Sequence, residues 1–235
     1  MSAPLYTIRG LEKTYFSGDV PTHALNGIDL DLFAGELIVL LGPSGSGKSS
    51  LLNAIGCLDK PTRGTIHFRD LSLTELDEAA RTSYRRTHVG FVFQSYNLIS
   101  SLTAGENVAL GSIKVDGALP SSEALELVGL KDRFKRFPAH LSGGEQQRVA
   151  VARAIAKQPE VLLCDEPTGA LDCASGVRVL EAIERVRRDF GTLALLVTHN
   201  AVIASMADRV FTLAHGKITA VGANAHPRRA GDLSW

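Results

Sequence analysis

The segment Gly42-Pro43-Ser44-Gly45-Ser46-Gly47-Lys48-Ser49 has the spacing G-x-x-x-x-G-K-[ST]. Glycines at these positions let successive backbone N–H groups curl toward one point. A helix starting at Lys48 adds its partial positive charge there, and Lys48 adds a full one. This is a cradle for the phosphates of a nucleoside triphosphate, with the hydroxyl of Ser49, followed by Ser50, placed to serve Mg²⁺. A glycine-rich turn without a ligand is the competing reading, and an eight-residue pattern between an apolar run and a helix leaves it little room. A second group is acidic: Val161-Leu162-Leu163-Cys164 runs into Asp165, and Glu166 follows. Side chains alternate along an extended segment, so Asp165 can face a metal while Glu166 addresses another point, such as an attacking water. Alone, the pair could be an inert strand end; the phosphate loop upstream argues for chemistry.

These residues need a scaffold that brings strand ends together. Glu36–Leu41 reads as a buried strand entering the glycine turn, and Lys48–Cys57 as the helix that leaves it. His88–Phe93, Val161–Cys164, Leu193–Val197 and Val210–Leu213 are further apolar runs rich in β-branched and aromatic residues, and alternate with helical stretches. That alternation predicts an α/β fold with a parallel sheet. Residues 5–34 and 64–69 instead alternate polar and apolar, as in Thr65-Ile66-His67-Phe68, which predicts a flanking antiparallel layer with one wet face. Between Gln94 and Pro159 the strand signal stops, while Ser122–Val128 and Glu145–Ala156 have helical periodicity, with Gly129, Pro120 and Pro138 as punctuation. This predicts a helical insertion at 94–159 in a core made of 1–93 and 160–235. From about residue 222 the chain, Gly222-Ala223-Asn224-Ala225-His226-Pro227-Arg228-Arg229, reads as a loose tail with two solvated arginines.

Leu141-Ser142-Gly143-Gly144-Glu145-Gln146-Gln147-Arg148 is a second glycine turn opening a second helix, hence a second anion-binding helix start in a chain with one phosphate loop. With this segment the chain closely resembles the nucleotide-binding subunits of ABC transporters, whose signature reads LSGGQ or, as here, LSGGE. The resemblance spans roughly Leu5 to Gly222. Its motifs stand in the family's order: phosphate loop, Gln94 after a strand, signature, Asp165-Glu166, Gly169-Ala170-Leu171-Asp172, and His199 after another strand. It implies a P-loop NTPase (RecA-like) core with an antiparallel β subdomain and an inserted helical signature subdomain. It also implies an ATPase that works as a dimer, pairing with a second copy of itself or a paralogous ATPase subunit, with ATP and Mg²⁺ held between the chains. Carried over by position, Ser49, Gln94 and Asp165 would serve the metal, and Glu166 would be general base or water positioner. Gln94 would also reach the attacking water, and His199 would hold the γ-phosphate and orient that water with Glu166. Ser142, Gly143 and Gly144 would meet the γ-phosphate bound to the second subunit, with Asp172 at the seam. Tyr15 would stack on adenine, or else pack into the core as a strand-end aromatic. The segments Lys13–Leu25, Phe93–Ile99 and Leu102–Val108 are similar to lipoprotein-releasing and macrolide-exporting ATPases, which implies transmembrane permease partners docking near Gln94–Val108. Two features depart from the pattern: Ala109–Leu127 is short, and Gly169 stands where the family often has Ser.

Composition sets limits. The chain has 235 residues, 45% of them hydrophobic, and 25 Lys plus Arg balance 25 Asp plus Glu, so no global charge steers it to nucleic acid. Its apolar runs of about five residues fall far short of the roughly 20 that cross a bilayer. Arg9, Glu12 and Lys13 precede any apolar stretch, and Ser2 stands where myristoylation requires Gly, so no signal or lipid anchor is expected. With the resemblance, this implies a peripheral protein on the cytoplasmic face of a bacterial inner membrane. The three cysteines, Cys57, Cys164 and Cys173, lack metal-ligand spacing and are expected to be buried thiols. A stand-alone kinase or GTPase would leave the signature unused, and no Asn-Lys-x-Asp element is present. A soluble ABC protein of translation or DNA repair is the remaining alternative.

Overall fold

The computed structural model describes residues 3–235, so Ser2 lies outside them. Strands β1 (Tyr6–Ser17), β2 (Val20–Leu32), β4 (Arg63–Phe68) and β5 (Leu71–Ser72) form an antiparallel sheet in the order β2-β1-β4-β5. The second sheet has six strands in the order β10-β9-β3-β8-β7-β6. These are β3 (Leu37–Leu41), β6 (Val89–Val92), β7 (Val161–Asp165), β8 (Leu193–Thr198), β9 (Arg209–Ala214) and β10 (Lys217–Ala223). All its pairings are parallel except β9 with β10. The helices are α1 (Lys48–Ile55), α2 (Glu78–His88), α3 (Ala104–Leu110), α4 (Ser121–Leu127), α5 (Gly143–Ile155) and α6 (Cys173–Phe190).

The central strands are apolar up to their last residues, Asp165 in β7 and Thr198 in β8, because both faces are covered. On β3, Leu37 and Val39 point to the core under α5 and α6, while Ile38 and Leu40 point to the core shared with α1 and the antiparallel sheet. β8 divides the same way, Ala194 and Leu196 against Leu193, Leu195 and Val197. This strict period of two fixes register, since a one-residue slip would exchange the two sets. Each fully buried Leu or Ile contributes roughly 1.5–3 kcal/mol.

Three expectations are corrected. The chain after Ala223 is not loose. Asn224 Nδ2 donates to the carbonyls of Ala204 and Ala207 at 2.9 and 2.6 Å, the Arg228 N–H donates to Ser205 at 2.9 Å, and the Arg228 guanidinium turns back to the Asp232 carbonyl. A 3₁₀ turn at Ala230–Asp232 then sets Ala230 and Leu233 into the core beside α6. Residues 217–223, left out of the predicted sheet, form its antiparallel edge; Ala220, Gly222 and Ala223 dilute the strand signal of Ile218, Thr219 and Val221. Cys57 and Cys164 are buried free thiols, but Cys173 is only half-buried in the first turn of α6.

Candidate functional site

β3 ends at Leu41, the chain turns through 42–47, and α1 starts at Lys48. Gly47 holds φ at 104°, and a Cβ there would stand 2.2 Å from the Ala24 carbonyl oxygen, so only glycine fits. α1 has no side-chain cap and no acidic residue in its first turn, which leaves its leading N–H groups open to an external anion. The buried Lys48 ammonium donates to the Gly42 and Pro43 carbonyls at 2.8 Å each and so stays at the loop. The Ser46 hydroxyl is buried with no partner among the described residues. Ser44, Gly45, Gly47, Lys48, Ser49 and Ser50 line one wall of a cleft of about 820 Å³; Tyr15, Gln94, Asp165, Glu166 and His199 line the others.

Parallel strands deliver the acidic pair. Asp165 closes β7 beside Val197 of β8, and Ser49 Oγ donates to its Oδ1 at 3.2 Å. Burial pushes the Asp165 carboxyl above its usual range; the Ser49 hydroxyl and Lys48 charge oppose this, and the Glu166 charge adds to it. A hydroxyl and a carboxylate converging beside a phosphate loop form the hard oxygen set that suits Mg²⁺. Glu166 sits in the left-handed region at φ 47°, an unusual conformation for a side chain of this length. Its N–H donates to the Val197 carbonyl at 3.0 Å, its Oε1 lies 2.9 Å from His199 Nδ1, and its Oε2 is buried and unpartnered among the described residues. One carboxylate oxygen is thus held by a neighbour, and the other has no partner among the described residues.

Gln94 follows β6 at the cleft rim, and a Cβ on Gly169 would approach its Nε2 to 3.1 Å, so glycine at 169 leaves that amide room. Tyr15 is 40% exposed, which removes the core-packing alternative. Its hydroxyl donates to Asp59 Oδ2 at 2.8 Å, and its ring lies 4.8 Å from Lys13 Nζ. None of Ser142, Gly143, Gly144 and Asp172 lines this cleft. Ser142 caps α5, where its Oγ accepts from the Glu145 N–H at 3.3 Å and its own N–H donates to Glu145 Oε2 at 2.9 Å. Asp172 caps α6 through the Ser175 N–H at 2.9 Å. Both cap residues are exposed, so this part of the pattern faces outward.

One residue of the site region escapes motif reading. Arg153, on α5, donates to the carbonyls of Tyr96 and Asn97 at 2.8 and 2.5 Å, and both acceptor residues have positive φ, 60° and 52°. It ties the signature helix to the backbone just after Gln94. A charged residue inside the apolar run Val149–Ile155 was the available signal.

Residues 25–169 match the family model described as ABC transporter. The chain is 44% identical over 225 residues to the lipoprotein-releasing system ATP-binding protein LolD 2 of Caulobacter vibrioides, covering 93% of this chain and 98% of that protein. It is 42% identical over 220 residues to the macrolide export ATP-binding/permease protein MacB of Escherichia coli K12, covering 92% of this chain. There it spans about a third of the relative's length, 34%. Among solved structures, the dimeric post-hydrolysis state of the ATP-binding cassette MJ0796 bound to ADP and Pi superposes with a TM-score of 0.86 at 38% identity, covering 94% of this chain and 99% of that one.

Proposed function

Because this chain belongs to the ABC transporter family, as one of its ATP-binding and ATP-hydrolysing cassettes, we propose that two copies, or this chain and a paralogue, enclose two ATP molecules and drive a membrane permease. The observation that supports the reading is that the two glycine-rich helix starts of one chain stand apart. Its cleft has the phosphate loop, Asp165, Glu166 and His199, while the helix start at Ser142–Gly144, exposed at Ser142, lies outside that cleft. In this reading it serves the nucleotide of another chain.

In this reading Lys48 and the amides of 42–49 hold the phosphates, and Ser142, Gly143 and Gly144 of the opposite chain complete the γ-phosphate pocket, with Asp172 at the seam. Ser49, Asp165 and Gln94 would hold Mg²⁺, which when bound neutralises phosphate charge. Glu166 takes or steers the proton of the attacking water, and His199 fixes one oxygen of its carboxylate. Tyr15 supplies an exposed face for the adenine ring. The permease would dock near Gln94–Val108, where Ile99 is 46% exposed, and would hold the chain on the cytoplasmic face of the membrane. No helix among the described residues is long and apolar enough to cross it.

Glu166→Gln tests the chemistry. Nucleotide binding should persist while turnover falls by about 10² or more. Near-normal turnover would remove Glu166 from the mechanism.

A further inference from the structure

α5 and α6 pack closely near their starts, where a Cβ on Gly144 would stand 2.7 Å from Ser175 Cβ. Four residues after Gly144 comes Arg148, and three after Ser175 comes Arg178. These spacings return to the same helix face one turn later, so the two guanidinium groups stand across one seam. Both line a cleft of about 440 Å³ whose far wall is the end of α4 at Glu126–Val128, with Gly129.

This cleft is lined by three arginines, Arg148, Arg178 and Arg185, against two glutamates, Glu126 and Glu181. Arg148 is only 7% exposed, yet it makes no hydrogen bond and has no carboxylate oxygen within 4.0 Å among the described residues. Burial and the positive charge of Arg178 both push its guanidinium below the ordinary value, and only Glu145 opposes them. Arg178 is also without a hydrogen-bonding or ionic partner among the described residues. Of the two carboxylates that also line the cleft, Glu126 is paired with Lys131 at 2.8 Å, and Glu181 makes no hydrogen bond or ion pair among the described residues. Arg185, also on the rim, is 3.4 Å from Asp189 Oδ2. The Arg148 guanidinium has no protein acceptor, and the cleft is its way to solvent, so its donors are open to an anion that enters there.

We propose that the cleft between Arg148 and Arg178 is a binding site for a phosphate-class oxyanion that bridges α5 and α6. Two planar donor forks meeting across a seam suit several oxygens on one centre better than they suit chloride. The exposed rim at Arg178 and Arg185 leaves the site open to solvent. Since α5 starts beside Ser142 and α6 beside Asp172, a bound anion ties these two helix starts together.

The test uses the full chain carrying Lys48→Ala, which removes the cation of the phosphate loop, and inorganic phosphate at constant ionic strength. The Nε–H resonances of Arg148 and Arg178 are followed by NMR during the titration. Both should shift to saturation, sulfate should compete, and the exposed-site variant Arg178→Gln should weaken the affinity about tenfold or more. Arg148→Lys keeps charge but loses the fork, and should weaken it as well. Shifts that rise without saturating, or an unchanged affinity in Arg178→Gln, would overturn the proposal.

Discussion

Glu166 and Asp165 are adjacent in sequence, yet the fold gives them different surroundings: Asp165 meets Ser49, and Glu166 meets His199. Strand alternation predicted a difference, but the structure produces it another way, since β7 ends at Asp165 and Glu166 is left-handed at φ 47°; the phosphate loop was legible because its chemistry is contiguous. Tyr15 was ambiguous until its exposure was known. If it stacks on adenine, Tyr15→Ala should raise KM for ATP by roughly tenfold, the worth of one base–aromatic stack, with little change in kcat. Tyr15→Phe should stay near the parent because it loses only the hydroxyl bond to Asp59; steady-state kinetics of both variants checks this. Lys157 gives a pH test. Burial lowers its ammonium from 10.5 to about 8 while it donates to the Arg85 carbonyl at 2.8 Å. Below about 8 both the folded and the unfolded chain hold the proton, and the penalty is fully present. Between about 8 and 10.5 the unfolded chain binds more protons, so this contribution to stability rises with pH. Denaturation of Lys157→Met and its parent from pH 7 to 10 should therefore show the variant's relative stability falling as pH rises, on the order of 1 kcal/mol after solvent screening. A constant difference would contradict it.

At the scale of elements, apolar runs were enough to place the parallel strands, since strands buried on both faces cannot hide among polar residues. α2 shows the opposite case: among its large apolar side chains only Tyr84 is buried, and its arginines dominate, so periodicity does not mark it. The terminal segment was misread for a related reason. Two apolar residues, Leu233 and Trp235, follow a polar stretch, and nothing local says that α6 offers them a seat. There Leu233 is 4% exposed, and a Cβ on Gly176 would stand 2.6 Å from the Trp235 ring. Leu233→Ala should cost about 2 kcal/mol, the lower end of the range for buried leucines because a chain end relaxes easily. A urea midpoint equal to the parent's would mean that the segment contributes nothing to stability. The contact of Arg153 with the Tyr96 and Asn97 carbonyls was equally invisible, because it joins positions more than fifty residues apart.

For the whole molecule, the sheet sets Asp165, Glu166, His199 and the phosphate loop at one set of strand ends, and the exposed caps Ser142 and Asp172 begin helices outside that cleft. The order of motifs was readable from the residues. Their division between the cleft and the surface was not, since it depends on how α5 and α6 pack on the sheet. The central claim is that a complete ATP site needs the phosphate loop of one chain and the signature of another. In a Glu166→Gln background, a Lys48→Ala homodimer lacks both phosphate lysines, and a Ser142→Arg homodimer has both signatures blocked. The lost cap costs only about 1 kcal/mol, too little to unfold the chain. In a mixed dimer both lesions fall in one site, and the other site is intact. The deciding measurement is nucleotide retained after rapid desalting of each homodimer and of the mixture: neither homodimer should occlude ATP and the mixture should, whereas occlusion at the parent's level by the Ser142→Arg chain alone would contradict the account.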